Sequence, residues 1–196
     1  AQVEISTNGF ITFTPTGSSH CCSGESIPNS DSPNNFIAGW WEDLDPTEGG
    51  IIRRQTLGPA GAREFVVGYY QVRDNDDPEN SINTMELILH EASGNIELQY
   101  GQIQFEDVDN KVVGIENTSG TDGIEILFMP SNAPFPNGHI VYRNQGFLIS
   151  RIPEPSTGAL AGVWFIALTC RSRRRKADDA SANRCRFNTS DIRHHA

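Results

Sequence analysis

The chain has 196 residues and a formal net charge of −10 at pH 7, and it is long enough for one domain of ordinary size plus a tail. The charge is unevenly divided, because residues 1–155 carry 22 acidic and 7 basic side chains, whereas residues 156–196 carry 3 acidic and 8 basic ones. Such an acidic body argues against sequence-independent binding of nucleic acid, which requires a surface rich in lysine and arginine.

The composition of the acidic region suits turn-dense β structure exported from the cytoplasm. It is rich in Gly, Asn, Ser, Thr, Asp and Pro, and Lys111 is its single lysine. The four cysteines define no disulfide framework, because a bridge between the neighbours Cys21 and Cys22 would be strained, and Cys170 and Cys185 lie near the other end. No signal peptide precedes Gln2, so we expect a secretory signal to have been removed or to lie outside this sequence.

The first predicted element is a β-hairpin. Residues 3–7 alternate between apolar and polar, residues 10–14 form a β-rich run, and Asn8-Gly9 lies between them. Asn-Gly in this position is a strong hairpin signal, because both central residues of a type I′ turn need positive φ. Residues 15–35 follow as a loop rich in Ser, Asn, Pro and Gly, longer than most unstructured connections.

Further short strands are predicted at close spacing as far as residue 142. In the strand at 84–90, Met85, Leu87 and Leu89 share one face, and Gly68 is a candidate bulge in the preceding strand. No helical periodicity occurs before Pro153. The pattern predicts an all-β fold, an antiparallel β-sandwich or partly closed barrel. The predicted strands are residues 36–41, 51–55, 64–72, 84–90, 96–100, 111–116, 123–128 and 139–142.

The body resembles a β-rich module of bacterial secreted and surface proteins and, more loosely, the amino-terminal module of nidogens. The resemblance rests on the Asn8-Gly9-Phe10 hairpin, on Trp40-Trp41 and Asp43 after an apolar strand, and on the run from Gly94 to Gly101. It covers about residues 3–128. These motifs are structural, so the resemblance implies a fold and an extracellular location and carries over no active site.

No catalytic motif is recognisable among the histidines. None lies in an HExxH pattern or beside a Gly-x-Ser-x-Gly elbow. His20 adjoins Cys21 and Cys22, but sequence neighbours on an extended loop rarely face one another. We therefore predict that the protein is not an enzyme. The five histidines are His20, His90, His139, His194 and His195.

Two binding hypotheses arise from the body. Asp74, Asp76 and Asp77 crowd one loop and offer the oxygen ligands that calcium prefers, although their spacing matches no EF-hand. Solvated acidic loops are the alternative. Trp40 and Trp41 suggest carbohydrate binding through an exposed indole. Because adjacent strand residues point to opposite sides, we expect one indole in the core, and the other either facing outward or packed beneath a loop.

The carboxy-terminal region combines three elements in a fixed order. Pro153, Glu154 and Pro155 precede an uncharged apolar run from Ser156 to Cys170, and a basic cluster follows immediately. This arrangement resembles the PEP-CTERM sorting signal of bacterial envelope proteins, which implies recognition by a membrane-embedded exosortase. The basic cluster, read as a stop-transfer signal on the cytoplasmic side, consists of Arg171, Arg173, Arg174, Arg175 and Lys176.

The apolar run leaves the type of membrane association open. As a helix, its 15 residues would span about 22 Å, less than the roughly 30 Å hydrocarbon core. A buried helix, an interfacial segment or the apolar tail of a secreted protein are therefore alternatives to an anchor. The arginines and Trp164 favour the membrane, since both residue types are common at its interfaces.

Together these patterns predict four segments and a location. We expect a β-sandwich at residues 1–145, a linker at 146–155, a hydrophobic helix with its basic cluster at 156–176, and a disordered tail at 177–196. The predicted function is a non-enzymatic bacterial cell-surface or extracellular-matrix protein with a role in adhesion, exported and membrane-anchored before processing. Its predicted partners are an exosortase-type enzyme, the membrane and an extracellular polysaccharide. A calcium- or carbohydrate-binding extracellular module is the alternative.

Overall fold

Two antiparallel β-sheets face each other across an apolar core in the computed structural model, which describes residues 2–15, 17, 23–105, 109–131 and 139–152. Eleven strands occur in these described ranges. They are β1 Glu4–Ile5, β2 Phe10–Thr12, β3 Phe36–Trp41, β4 Leu44–Asp45, β5 Ile51–Leu57, β6 Glu64–Asp74, β7 Ile82–His90, β8 Ile96–Phe105, β9 Lys111–Glu116, β10 Gly123–Met129 and β11 His139–Ile149.

The strand order separates the chain into a first and a second sheet. The first sheet has the order β1-β2-β3-β9-β10, and the second has the order β11-β8-β7-β6-β4, with β5 also pairing with β6. In the second sheet, β6, β7 and β8 are successive in the chain and pair as neighbours. The first sheet instead joins β3 to β9, which are distant in the sequence.

The core lies between the inner faces of the two sheets. Trp40 from the first sheet packs against Phe105 and Tyr142 of the second, with ring centroids 5.6 and 6.2 Å apart. Tyr69 is fully buried, and its hydroxyl donates a hydrogen bond of 2.6 Å to the carbonyl of Ser6. The alternation predicted for β7 is confirmed, because Met85 and Leu87 belong to this core.

The predicted hairpin forms, but its turn is not type I′. Ile5 pairs with Ile11, and the Ser6 N–H donates to the Phe10 carbonyl, so a longer connection joins β1 and β2. Asn8 is not among the residues with positive φ, whereas Gly9 has φ of 80°. This pattern fits a loop with one glycine in the left-handed region. Gly9 is also required by close approach, because a Cβ there would lie 1.8 Å from the Trp40 carbonyl oxygen.

A bulge in β3 decides where the two adjacent tryptophans point. The N–H groups of Gly39 and Trp40 both donate to the carbonyl of Gly9, and the register with β9 shifts between Ala38 and Trp41. Two residues of one strand therefore oppose one position of its neighbour, which reverses the alternation beyond that point. As a result, Trp40 packs in the core between the sheets, and Trp41 packs in a second cluster on the outer face of the first sheet.

The second cluster is covered by the loop that precedes β3. Ile27 of this loop packs with Phe10 and Trp41, and the Ile27 N–H donates a 2.8 Å hydrogen bond to the Glu125 carboxylate. The Asn29 N–H donates a 2.7 Å hydrogen bond to the Glu116 carboxylate. The described part of the long predicted loop thus serves as a covering layer for the first sheet.

The predicted all-β fold of two antiparallel sheets is confirmed, and the described residues contain no helix. Two details differ from the sequence prediction. β11 continues to Ile149, whereas the strand predicted there ends at residue 142. The irregularity in β6 falls between Tyr69 and Val72 instead of at Gly68. The predicted hydrophobic helix at 156–176 lies outside the described residues.

Candidate functional site

Hydrogen bonds between residues of the same loop hold the segment that carries Asp74, Asp76 and Asp77. Asp74 is fully buried, its N–H donates 2.7 Å to the Ser81 hydroxyl, and its Oδ1 accepts 2.9 Å from the Asp76 N–H. The Asp77 carboxylate accepts from the Asn80 amide at 3.0 Å. The hydrogen bonds of Asp74 and Asp77 are thus made to different groups within the loop.

A different acidic neighbourhood forms around Asp43, just after β3. The Asn75 N–H donates 2.8 Å to the Asp43 carbonyl, which joins this position to the loop after β6. Partial burial, together with the negative charges of Asp109, Asp76 and Asp74, raises the pKa of the Asp43 carboxyl above its ordinary value. Asp109 is distant in the sequence from the other three aspartates, so only the fold brings its charge near Asp43.

This neighbourhood is not arranged as a cation site. Within the described residues, no group of three or more histidine, cysteine, aspartate or glutamate side chains could hold a metal ion. Calcium requires six to eight oxygen ligands at 2.3–2.6 Å, so carboxylates must converge on one point. The calcium site predicted at Asp74, Asp76 and Asp77 remains a prediction that this geometry does not support.

Neither tryptophan offers a face to a sugar. Trp40 is 0% exposed and Trp41 is 2% exposed. The Trp41 ring lies 4.6 Å from the Phe10 ring and 5.3 Å from the Phe36 ring, centroid to centroid. Stacking requires an open ring face, so the carbohydrate hypothesis based on Trp40 and Trp41 does not fit this structure. The prediction that one of them packs beneath a loop describes Trp41.

The predicted sorting residues cannot be placed. Pro153, Glu154 and Pro155, together with the basic cluster at 171–176, lie outside the described residues, as do His20, Cys21 and Cys22. In the part of the chain that the structure describes, no helix has both the length and the apolar character needed to cross a membrane.

His90 lies between two carboxylates at the end of β7. Its Nδ1 is 3.3 Å from Glu64 Oε1, and its Nε2 is 3.0 Å from Glu97 Oε2. A hydrogen bond from Gln99, together with the interaction with His90, lowers the pKa of the Glu97 carboxyl. His90 follows the inward-facing Leu89 and lies on the solvent side of the second sheet, where its partners give it a structural role.

The solvent side of the second sheet carries an aligned row of side chains, which we call the Tyr70 face. The register places Arg53 of β5 opposite Gly68, Gly68 opposite Glu86, and Glu86 opposite Gln99. Gly146 of β11 continues the row beside Gln99. Partners in a ladder point to the same side, so these positions form one line across five strands.

Tyr70 lies over the glycine in this row. A Cβ on Gly68 would be 2.4 Å from the ring carbon Cζ of Tyr70, so the absence of a side chain at Gly68 lets the ring rest against the sheet. The Tyr70 hydroxyl donates a 2.5 Å hydrogen bond to Glu86 Oε1. This hydrogen bond, together with partial burial, raises the pKa of Tyr70 and fixes the direction of the ring.

Two open depressions flank Tyr70 and share it with Glu86 and Gln99. One, of about 540 Å³, extends towards β11 and is bordered by Thr84, Gly101 and Asn144. The other, of about 810 Å³, extends towards β5. Its border includes the exposed side chains of Arg53 and Gln55 and the apolar side chains of Val66 and Ile88.

The backbone is irregular along one side of this face. Gln71 and Asn144 are two of the three described residues other than glycine with positive φ, at 58° and 52°. Near them the pairing of β7 with β8 shifts at Thr84 and Met85, which leaves Gly101 without a direct partner in β7. Bulges and left-handed backbone at residues other than glycine carry a cost, and they concentrate near functional sites.

Sequence reasoning did not single out this face. The polar residues Glu86 and Gln99 alternate with core residues, and this period-2 pattern is the signal that could have marked them as solvent-facing. Tyr69 and Tyr70, however, are indistinguishable in the sequence, and only the structure buries one and lays the other on the surface.

Comparison with known proteins identifies the body of the chain. Residues 1–135 match the protein family described as NIDO related, which is 135 of the 196 residues. Neither the curated proteins nor the solved structures gave a match. The match confirms the nidogen-like module predicted from the sequence and is consistent with an exported, extracellular protein. Because it covers most of the chain, the chain belongs to the NIDO-related family.

Proposed function

We propose that this protein is a non-enzymatic component of a bacterial cell surface or extracellular matrix, exported and sorted through a PEP-CTERM signal. The observation that carries the proposal is the ordered segment of Pro153-Glu154-Pro155, an uncharged apolar run and an arginine cluster, placed directly after a NIDO-related domain. A display domain followed by an address is a coherent arrangement for a protein that acts outside the cell.

The charge distribution supports export of the domain out of the cytoplasm. The body is strongly acidic, and the region after Pro155 is basic. Positively charged residues next to an apolar segment tend to stay on the cytoplasmic side, so the acidic domain would face outward. In this arrangement an exosortase-type enzyme acts at the Pro-Glu-Pro motif, and the apolar run holds the chain in the membrane until processing.

A non-enzymatic role agrees with the side chains that the fold brings together. His90 contacts Glu64 and Glu97, and a histidine between two carboxylates lacks the adjacent nucleophile that acyl-transfer chemistry requires. The charged groups that act on Asp43 are the carboxylates of Asp74, Asp76 and Asp109, all of them negative. Adhesion or matrix structure, which needs surfaces instead of reactive groups, is the function that these features support.

The test is to follow the protein in a bacterium that carries an exosortase. Glu154→Ala should leave the precursor unprocessed and retained with the membrane fraction, as judged by immunoblot of the fractionated cells. Glu79→Ala changes an exposed acidic residue within the domain and is the matched control, which should be processed normally. Unchanged size and location of the Glu154→Ala protein would exclude the sorting role.

A further inference from the structure

We propose that the Tyr70 face of the second sheet is a binding groove for a neutral oligosaccharide chain. The groove consists of the two depressions on either side of Tyr70 and the row of cross-strand partners beneath them. The proposal adds a ligand class to the display function, and it does not depend on the sorting signal, because the groove lies wholly within the domain.

The shape of the surface indicates a chain-like ligand. The row from Arg53 to Gly146 crosses β5, β6, β7, β8 and β11, and four spacings between neighbouring strands amount to roughly 19 Å. Both depressions are open along their length and meet at Tyr70. An extended ligand can therefore lie across the strands, with its middle over the tyrosine ring.

The position of Tyr70 suits stacking. Its ring rests against the sheet above Gly68, and its hydroxyl is held by Glu86 at 2.5 Å. A ring fixed in this way loses little conformational freedom when a ligand binds, and it combines an apolar face with a polar tip. The CH groups on one side of a pyranose ring can pack on such a face, while the sugar hydroxyls point to the polar groups around it.

The polar groups beside Tyr70 match a hydroxyl-rich ligand. Gln55 and Gln99 are exposed, and each amide carries both donors and acceptors, as a sugar hydroxyl does. Gln102 lies on the same side of the sheet, where Arg143 donates a 3.0 Å hydrogen bond to it. A few placed polar groups around an aromatic and apolar floor are the usual composition of a small-molecule site.

The charges favour a neutral sugar over an acidic one. Arg53 and Arg143 lie on this side of the sheet together with Glu64, Glu86 and Glu97, and Arg54 borders the larger depression, so both signs of charge are present. Glu86, however, holds the Tyr70 hydroxyl at the middle of the groove, so a uronate stacked on the ring would meet a carboxylate at short range, and like charges repel strongly at a partly desolvated surface. The same carboxylate disfavours the phosphates of a nucleic acid at this position.

The location also separates this site from a peptide-binding one. Peptides that add to a sheet pair with the unpaired backbone of an edge strand. Tyr70, Glu86 and Gln99 instead lie in the middle of the second sheet, where β6, β7 and β8 are each paired with neighbours. Side chains and not backbone groups are available there, which suits recognition of sugar hydroxyls.

The experiment uses isothermal titration calorimetry on the full chain with cellohexaose, xylohexaose, mannohexaose and laminarihexaose, and with hexagalacturonate as the acidic comparator. At least one neutral hexasaccharide should bind more tightly than hexagalacturonate. Tyr70→Ala should weaken that binding tenfold or more, whereas Tyr70→Phe should change it about threefold or less, because it keeps the ring. Phe13→Ala removes an exposed aromatic ring away from the face and should leave binding unchanged.

Circular dichroism and thermal unfolding of each variant establish that it is folded, and Gln99→Ala provides a second, less disruptive change. No heat from any neutral hexasaccharide, preference for hexagalacturonate, or equal affinity of folded Tyr70→Ala and Gln99→Ala with the wild type would each overturn the proposal. None of these outcomes bears on the sorting signal, which the Glu154→Ala experiment tests by itself.

Discussion

The outer faces of the two sheets differ in what lies on them. On the first sheet, Phe10, Phe36 and Trp41 form an apolar cluster that the loop before β3 covers through Ile27. On the second sheet, the corresponding side carries Arg53, Glu86 and Gln99 beneath open depressions. The covered face is therefore a second core, and the open face is where a ligand can be recognised.

This difference has a physical origin in the composition of the two surfaces. Buried aromatic rings stabilise the fold through their large apolar area, and a sheet with such rings on its outer side needs a cover. A polar outer side satisfies its hydrogen bonds with water and needs none. Substitutions on the two faces should consequently affect different properties, stability on the first sheet and binding on the second.

The largest effect is expected at the centre of the covered face. Trp41→Ala should lower the free energy of unfolding by about 3–5 kcal/mol, because it removes a buried indole and leaves a cavity. Tyr70→Ala on the open face should cost less than about 1 kcal/mol, since it removes a surface side chain. Urea denaturation of both variants measures the difference. Equal losses would mean that the two faces are not distinct.

The next effect concerns the covering loop. Ile27→Ala should lower the free energy of unfolding by about 2 kcal/mol, because the Ile27 side chain is 7% exposed and packs against the cluster. Limited proteolysis should then cut near residues 23–35 faster than in the wild type. Ile124→Ala, at a side chain 49% exposed, is the matched control and should change neither property. An Ile27→Ala protein as stable and as resistant as the wild type would show that the loop does not cover the sheet.

A smaller, pH-dependent effect is expected where the loop is tied down. Burial, together with the charge of Glu25, raises the pKa of the Glu116 carboxyl, which accepts the Asn29 N–H. The folded state thus holds this proton more tightly than the unfolded chain, and the carboxylate disfavours folding at neutral pH. Glu116→Gln removes the charge and keeps an acceptor. The stability of the wild type relative to this variant should therefore rise as the pH falls from 7 towards 4, and a constant difference would contradict the assignment.

The smallest effect is expected at the exposed hairpin tip of the second sheet. Arg63 pairs with Glu91 at 2.6 Å, and hydrogen bonds from Arg63 and Gly61 lower the pKa of the Glu91 carboxyl to about 2. Because the folded state lowers the pKa of Glu91, its ionised carboxylate stabilises the fold at every pH above the ordinary pKa near 4.5. This stabilisation is lost as the pH falls towards 2. Glu91→Gln should thus be slightly less stable than the wild type at pH 7 and equal to it near pH 2. Thermal unfolding of both proteins between pH 7 and pH 2 measures this difference in stability. If the variant is still less stable than the wild type at pH 2, the loss comes from packing and not from charge.

Several features were predictable from local patterns. Alternation indicated the inner side of β7, so the core positions of Met85 and Leu87 were anticipated. The Asn8-Gly9 hairpin was recognised, but its turn type was not, because the turn adapts to the close approach of Gly9 to Trp40. The tryptophans were recognised as important, yet an exposed role was assigned that the covering loop removes.

Local sequence patterns say even less about the candidate sites than about the strands. The predicted calcium set grouped Asp74, Asp76 and Asp77 by sequence proximity, whereas the fold turns Asp77 towards Asn80 and brings Asp109 towards Asp43. Carboxylates that are close in sequence converge only if the loop directs them to one point, and hydrogen bonds within the loop decide that direction. The calcium set at Asp74, Asp76 and Asp77 therefore stays a prediction.

By itself, the sequence determined the all-β class, the approximate strands and the acidic character of the body, because these depend on period-2 alternation, turn residues and composition. Only the tertiary structure decided which outer face is covered and which is open. That outcome depends on the pairing of distant strands, on the bulge at Gly39 and Trp40, and on the register that aligns Glu86 with Gln99 beside Tyr70. A one-residue change in register reverses which side of a strand faces the core, and no local pattern specifies that register across five strands.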